Sequence, residues 1–114
     1  MSLRSLLPPI AAALAASLVA AGCGSEGTSK VVRTNEVSMA KSYRFDPNKI
    51  EIAAGETVTW TNNDNFTHTV KVDGRDDHTV GRGDSFSMRF DKPGTYHYVC
   101  TLHSRDMDGT VIVT

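Results

Sequence analysis

Two cysteines in 114 residues are too few to staple a small fold with disulfides, so each has to be read for a separate role. Charge of one sign is also missing. Twelve Lys and Arg stand against thirteen Asp and Glu, interspersed along the chain, which leaves no basic face of the kind nucleic acid requires. The longest apolar run, Leu6 to Ala21, is interrupted by Pro8, Pro9 and Ser17. It falls short of the roughly 18 or more apolar residues of a spanning helix, and its two prolines suit such a helix poorly. From Val31 onward no amphipathic helical period of useful length is present and no internal repeat is evident. What remains after the first two dozen residues has room for one small domain, expected to bury about 60–70% of the surface its unfolded chain exposes.

The amino terminus reads as an export signal: a short positive start ending at Arg4, the apolar run, then Gly22 and Cys23. Ala20-Ala21-Gly22-Cys23 resembles a bacterial lipoprotein box, in which the chain is cut before the cysteine and the thiol carries a diacylglycerol. On that reading residues 1–22 are signal peptide. Residues 23–30 form a polar, flexible tether with Cys23 lipidated, and residues 31–114 form the folded domain. The alternative is an ordinary secretory signal that leaves Cys23 free or paired with Cys100.

Beyond the tether, short β-rich runs alternate with turn residues, an all-β pattern. Strands are expected at Glu36 to Lys41, Ile50 to Ala53, Thr57 to Asn62, Thr69 to Val72, Ser85 to Phe90, Thr95 to Val99 and Thr110 to Val113. Between them fall Asp46-Pro47-Asn48, Ala54-Gly55-Glu56, Asp73-Gly74, Gly81-Arg82-Gly83 and Lys92-Pro93-Gly94, which supply turn chemistry. The spacing predicts a two-layer β-sandwich of about seven to eight strands, with Val58, Trp60, Tyr96 and Tyr98 facing inward. Met39 and Met88 are expected to be packing residues. The polar stretch Asp73 to Gly83 reads as a surface excursion holding a short helix or an extra strand at His78 to Val80.

Cys100, His103 and Met107 fall within eight residues, between two apolar strands, so one connecting loop presents all three. Thiolate and thioether favour the soft cuprous ion while imidazole serves both copper oxidation states, and a two-His, one-Cys set with a distant axial Met is a blue-copper arrangement. His68 is the best supplier of the second imidazole, because it opens a strand after the loop Asp64-Asn65-Phe66-Thr67. Taken singly, Cys100 and Met107 would be core filler and His68 a structural histidine. In the order His, then Cys-x-x-His, then Met, on an all-β pattern, they read as a metal site. Structural zinc usually wants four strong Cys or His ligands, and the domain offers one cysteine. His97 should point away from the core with Tyr96 and Tyr98 facing in, and His78 sits in the polar excursion.

The runs Tyr43-Arg44-Phe45-Asp46-Pro47, Gly55-Glu56-Thr57-Val58-Thr59-Trp60-Thr61-Asn62, His68-Thr69-Val70, Gly94 through Cys100 and Gly109-Thr110-Val111 resemble, in order and spacing, the cupredoxins: plastocyanin, amicyanin and pseudoazurin. The resemblance covers nearly all of residues 31–114 and implies a Greek-key β-sandwich. It makes His68 and His103 the nitrogen ligands of one type 1 copper, Cys100 the thiolate and Met107 the axial thioether. The spacing from His103 to Met107 lies between those of amicyanin and plastocyanin. Thr69 stands where many relatives place an asparagine that ties the two ligand loops, so the shorter side chain is expected to hold them less firmly.

The function these residues imply is electron transfer rather than enzymatic catalysis, since no acid or base accompanies the ligands in sequence to serve an open metal position. By resemblance, His103 lies near the surface in a small apolar patch that includes Leu102 and Phe66. Transient redox proteins are the expected partners, with no nucleic acid, a monomeric state, and contact with membrane only through the lipid. The expected place is the cell envelope, on the outer face of the cytoplasmic membrane or a periplasmic membrane surface. A copper carrier or sensor that hands on the ion is the competing function, and a metal-free interaction domain is a third.

Overall fold

Alternation with period two turns one face of a strand toward a core and the other outward. Residues 57–62 follow it strictly: Val58, Trp60 and Asn62 are buried, while Thr57, Thr59 and Thr61 keep contact with solvent. The computed structural model describes residues 30–114, and the signal segment, Cys23 and nearly all of the tether lie outside the described residues. Its elements are β1 (Val32–Arg33), β2 (Glu36–Ala40), β3 (Arg44–Asp46), β4 (Lys49–Ile52), β5 (Thr57–Asn62), β6 (His68–Val72), β7 (Asp77–Val80), β8 (Ser85–Arg89), β9 (Gly94–Val99) and β10 (Asp108–Val113). There is no helix among the described residues.

The strands form a six-stranded sheet ordered β1-β4-β10-β9-β6-β7 and a four-stranded sheet ordered β3-β2-β5-β8. Both are mixed. β4 runs parallel to β1 and β10, and β2 parallel to β5, while the remaining pairs are antiparallel. The chain passes repeatedly from one sheet to the other, which places apolar residues from distant segments face to face. Trp60 and Tyr98 meet edge to face in that core, with ring centroids 5.3 Å apart, and Phe45 stands 4.7 Å from Tyr98 on another side.

Ten strands replace the seven to eight expected. β1 and β3 have two and three residues, too few to carry a legible alternation, and pairing with β4 and β2 defines them. The polar excursion contains a strand, β7, held by antiparallel pairing with β6. Met39 is buried and Met88 packs partly against the core, as the pattern implied. Tyr98 is fully buried, but Tyr96 is only half-buried, capped by Phe90 and by the Arg75 guanidinium 5.5 Å above its ring. It stands near the start of β9, where the core thins toward the turn. His97 is exposed, on the opposite face.

Candidate metal centre

The register of β6 against β9 positions the site. Val72 pairs with Tyr98 and Lys71 with Val99, so the start of β6 and the end of β9 lie at the same end of the sandwich. There the ladder gives way. The Thr69 backbone N–H donates to Cys100 Sγ at 3.3 Å, a bond that supports negative charge on the sulfur. The loop after Cys100 folds back through a series of turns: the N–H of His103 donates to Cys100 O, and those of Asp106 and Met107 donate to His103 O. Cys100 N–H then donates to Met107 O at 3.1 Å and closes the loop at its base.

The result brings three of the four expected donors together directly. Nδ1 of His68 and Nδ1 of His103 stand 3.7 and 3.6 Å from Cys100 Sγ, and all three atoms lie within 4.8 Å of one another. An ion with bonds of about 2.3 Å to thiolate and about 2.0 Å to imidazole, meeting near 120°, would space sulfur and nitrogen about 3.7 Å apart. The donors therefore fit a single trigonally held ion. Met107 is fully buried beside them in the chain, as are Cys100 and His68. Of the four, His103 alone reaches toward solvent; its chain neighbour Leu102 is 58% exposed, and Phe66, whose ring lies 5.7 Å from that of Tyr43, is 54% exposed.

Thr69 ties the two ligand segments more firmly than its size suggested. Its hydroxyl accepts from Thr101 N–H at 2.7 Å and pairs with Thr101 Oγ1 at 2.8 Å, and that hydroxyl donates to Asp77 Oδ2 at 2.8 Å. Two threonines thus do together what one longer amide was expected to do. Asp64 is buried beside His68, with Oδ2 2.9 Å from His68 Nε2. Burial alone would raise its carboxyl, but the hydrogen bonds from the His68 ring and the Asn65 N–H, with the nearby charge of Lys41, hold it below the usual carboxylate value.

Sequence reasoning passed over Asp64 and Tyr43 as members of the site. Tyr43 lies on the exposed ligand, its ring stacked on His103 with centroids 4.3 Å apart and planes at 27°. A turn places it there, in which Ser42 and Tyr43 have φ of 73° and 55°. Consecutive non-glycine residues in the left-handed region are uncommon, and Lys41-Ser42-Tyr43 carries no residue that announces them. The signal for Asp64 was available: an acid in a loop whose other end bears a proposed imidazole ligand.

A small mixed β-sandwich that closes one thiolate and two imidazoles at the end of its sheets is a mononuclear metalloprotein with a soft donor set. The chain belongs to the copper binding proteins of the plastocyanin/azurin family, whose model matches residues 31–114. Among relatives, it is 37% identical over 83 residues to plastocyanin of Scenedesmus fuscus, an alignment covering 60% of this chain and 85% of that protein. It is 33% identical over 111 residues to amicyanin-alpha of Methylorubrum extorquens, covering 91% of this chain and 92% of the relative. A purple cupredoxin from Nitrosopumilus maritimus superposes with a TM-score of 0.64 at 25% identity, over 71% of this chain and all of the other. Copper is therefore the cofactor of this fold and donor set.

Proposed function

We propose that the protein is a type 1 copper electron carrier, with His68, Cys100 and His103 as strong ligands and Met107 as the axial thioether. The observation that carries this reading is the spacing of the two Nδ1 atoms at 3.7 and 3.6 Å from one buried sulfur. Copper bound there supplies a one-electron couple between its cupric and cuprous states. His68, Cys100 and Met107, all fully buried, keep water from the donor set. The hydrogen bonds of Thr69 and Thr101 fix the distance between the ligand segments, so the donors need little rearrangement when charge changes. His103 stands at the edge, and its neighbours Tyr43, Phe66 and Leu102 form an apolar rim suited to brief, small-area docking of a redox partner.

The deciding experiment is a visible and paramagnetic resonance spectrum of copper-loaded protein, followed by voltammetry. Intense thiolate-to-copper absorption and reversible one-electron reduction with the metal retained are expected. No charge-transfer band would sink the reading, and loss of the ion to an acceptor in each cycle would make the protein an ion carrier instead. The place of action proposed is the cell envelope, where the protein works as a monomer held by diacylglycerol on Cys23. The box Ala20-Ala21-Gly22-Cys23 after an apolar run supports it. A single acyl chain holds only marginally, so two chains are what stable retention needs. Cys23→Ser should release a copper-binding protein from membranes, and a variant that stays with washed membranes would defeat the anchor.

A further inference from the structure

The two imidazoles of the site are held in opposite ways. His103 is stacked by Tyr43 at the surface, and among the described residues no carboxylate pairs with it. His68 is fully buried, and its Nε2 meets a carboxylate that is itself only 4% exposed. That carboxylate is fastened on every side. Asp64 N–H donates to Asn62 Oδ1 at 2.9 Å, and Asp64 Oδ1 accepts from Asn65 N–H at 2.7 Å. Asn62 Nδ2 is fixed in turn by Phe66 O at 2.8 Å and Val80 O at 2.9 Å. A carboxylate accepts, so its place at Nε2 selects, for the neutral ring that can ligate a metal, the tautomer with the proton on Nε2 and the lone pair on Nδ1, the nitrogen that faces Cys100 Sγ.

We propose that Asp64 is a positioning residue of the metal centre, which locks the His68 tautomer and, through its buried charge, strengthens that imidazole as a donor and lowers the reduction potential. The inference rests on the copper electron-carrier reading and adds to it what sets the affinity and potential. A neutral acceptor at position 64 would anchor the ring equally well, and a buried charge is costly to keep. The charge has its effect elsewhere, on the ligand. A carboxylate behind a ligating imidazole raises its basicity, and its negative charge favours the more positive cupric state over the cuprous one.

The test compares the wild-type full chain with Asp64→Asn, which keeps an acceptor and removes the charge, and with Asp64→Ala, which removes both. Asp64→Asn should retain the fold and the visible band. Its one-electron equilibrium should move about tenfold toward the cuprous form, a rise of about 59 mV, and its cupric affinity should fall about 10–100-fold. Asp64→Ala should shift at least as far. In metal-free protein, nitrogen NMR should show a single Nε2–H tautomer of His68 in wild type and Asp64→Asn, and a mixture in Asp64→Ala. A potential and affinity for Asp64→Asn within twofold of wild type would overturn the proposal. So would a mixed tautomer in the wild type, or loss of the β-sheet circular dichroism in both variants, which would make the charge a folding requirement. If wild type binds no copper the electron-carrier reading fails, and the metal-free spectra still decide whether Asp64 sets the tautomer.

Discussion

Thr69→Val keeps a β-branched shape in β6 and removes the one hydroxyl that joins the segments bearing His68 and Cys100. The side chain is almost fully buried, with 4% exposure. Two interactions disappear, the bond from Thr101 N–H at 2.7 Å and the pairing with Thr101 Oγ1 at 2.8 Å. Each hydrogen bond contributes about 0.5–1.5 kcal/mol net. Thr101 is itself exposed and keeps Asp77, so its freed groups can turn to water, which puts the cost in the lower part of the range, about 1–2 kcal/mol. At about 4–8 °C per kcal/mol for a domain of this size, the metal-free protein should melt about 5–15 °C lower. Thermal circular dichroism measures this, with and without copper. If the tie holds the ligand segments ready for the ion, copper binds the variant more weakly and the deficit is at least as large in the loaded protein. A metal-free deficit below about 0.5 kcal/mol, or one that vanishes on loading, would refute the reasoning.

Cys100→Ser should abolish the intense visible absorption while leaving the sandwich folded, since serine is similar in size and supplies no thiolate at neutral pH; a retained band would remove Cys100 from the ligand set. Met107→Leu should keep the colour and raise the potential, because a donor to the cupric ion is lost, whereas Met107→Gln should lower it with a harder oxygen. Voltammetry checks both signs, and no change in either variant would make Met107 packing alone. Gly109 faces Tyr98 across β10 and β9, and a Cβ there would run into the buried Tyr98 ring. Gly109→Ala should therefore destabilise the fold by about 1–3 kcal/mol, the usual cost of overpacking, measured by denaturant unfolding; a neutral effect would mean the ring can move aside.

The strands that could be read from the sequence were those whose faces differ. Residues 57–62 alternate threonine with Val58, Trp60 and Asn62, and that contrast survives in the burial of the same residues. β1 and β3 offered no such contrast, because two or three residues carry less than two full alternations. β7, which the sequence left open between a short helix and a strand, was ambiguous for another reason. Asp77, His78 and Thr79 remain at least partly exposed on both faces, so pairing with β6 rather than burial makes them a strand. The ligand loop was legible because Cys100, His103 and Met107 are close in sequence and chemically unlike filler. Asp64 and Tyr43 act through tertiary placement: one reaches the ring four positions along the chain, and the other crosses from the turn before β3 to stack on a loop about sixty residues later.

The same division between local and distant parts governs how copper and folding are coupled. Cys100, His103 and Met107 lie in one eight-residue segment, so an unfolded chain already brings a thiolate and an imidazole near each other. Affinity for the unfolded state subtracts from the stabilisation a bound metal confers. Copper can therefore stabilise the native state only through what the unfolded segment lacks. His68, thirty-two residues before Cys100, joins the set only when β6 aligns with β9, and its orientation is held by Asp64, Asn62 and the turn between them. The enclosure of Cys100 by the Thr69 N–H and the closing bond from Cys100 N–H to Met107 O likewise exists only in the folded sandwich. The gain in stability on loading thus reports the distant histidine and the cage around the sulfur, while the loop that identifies the site in sequence contributes least to it.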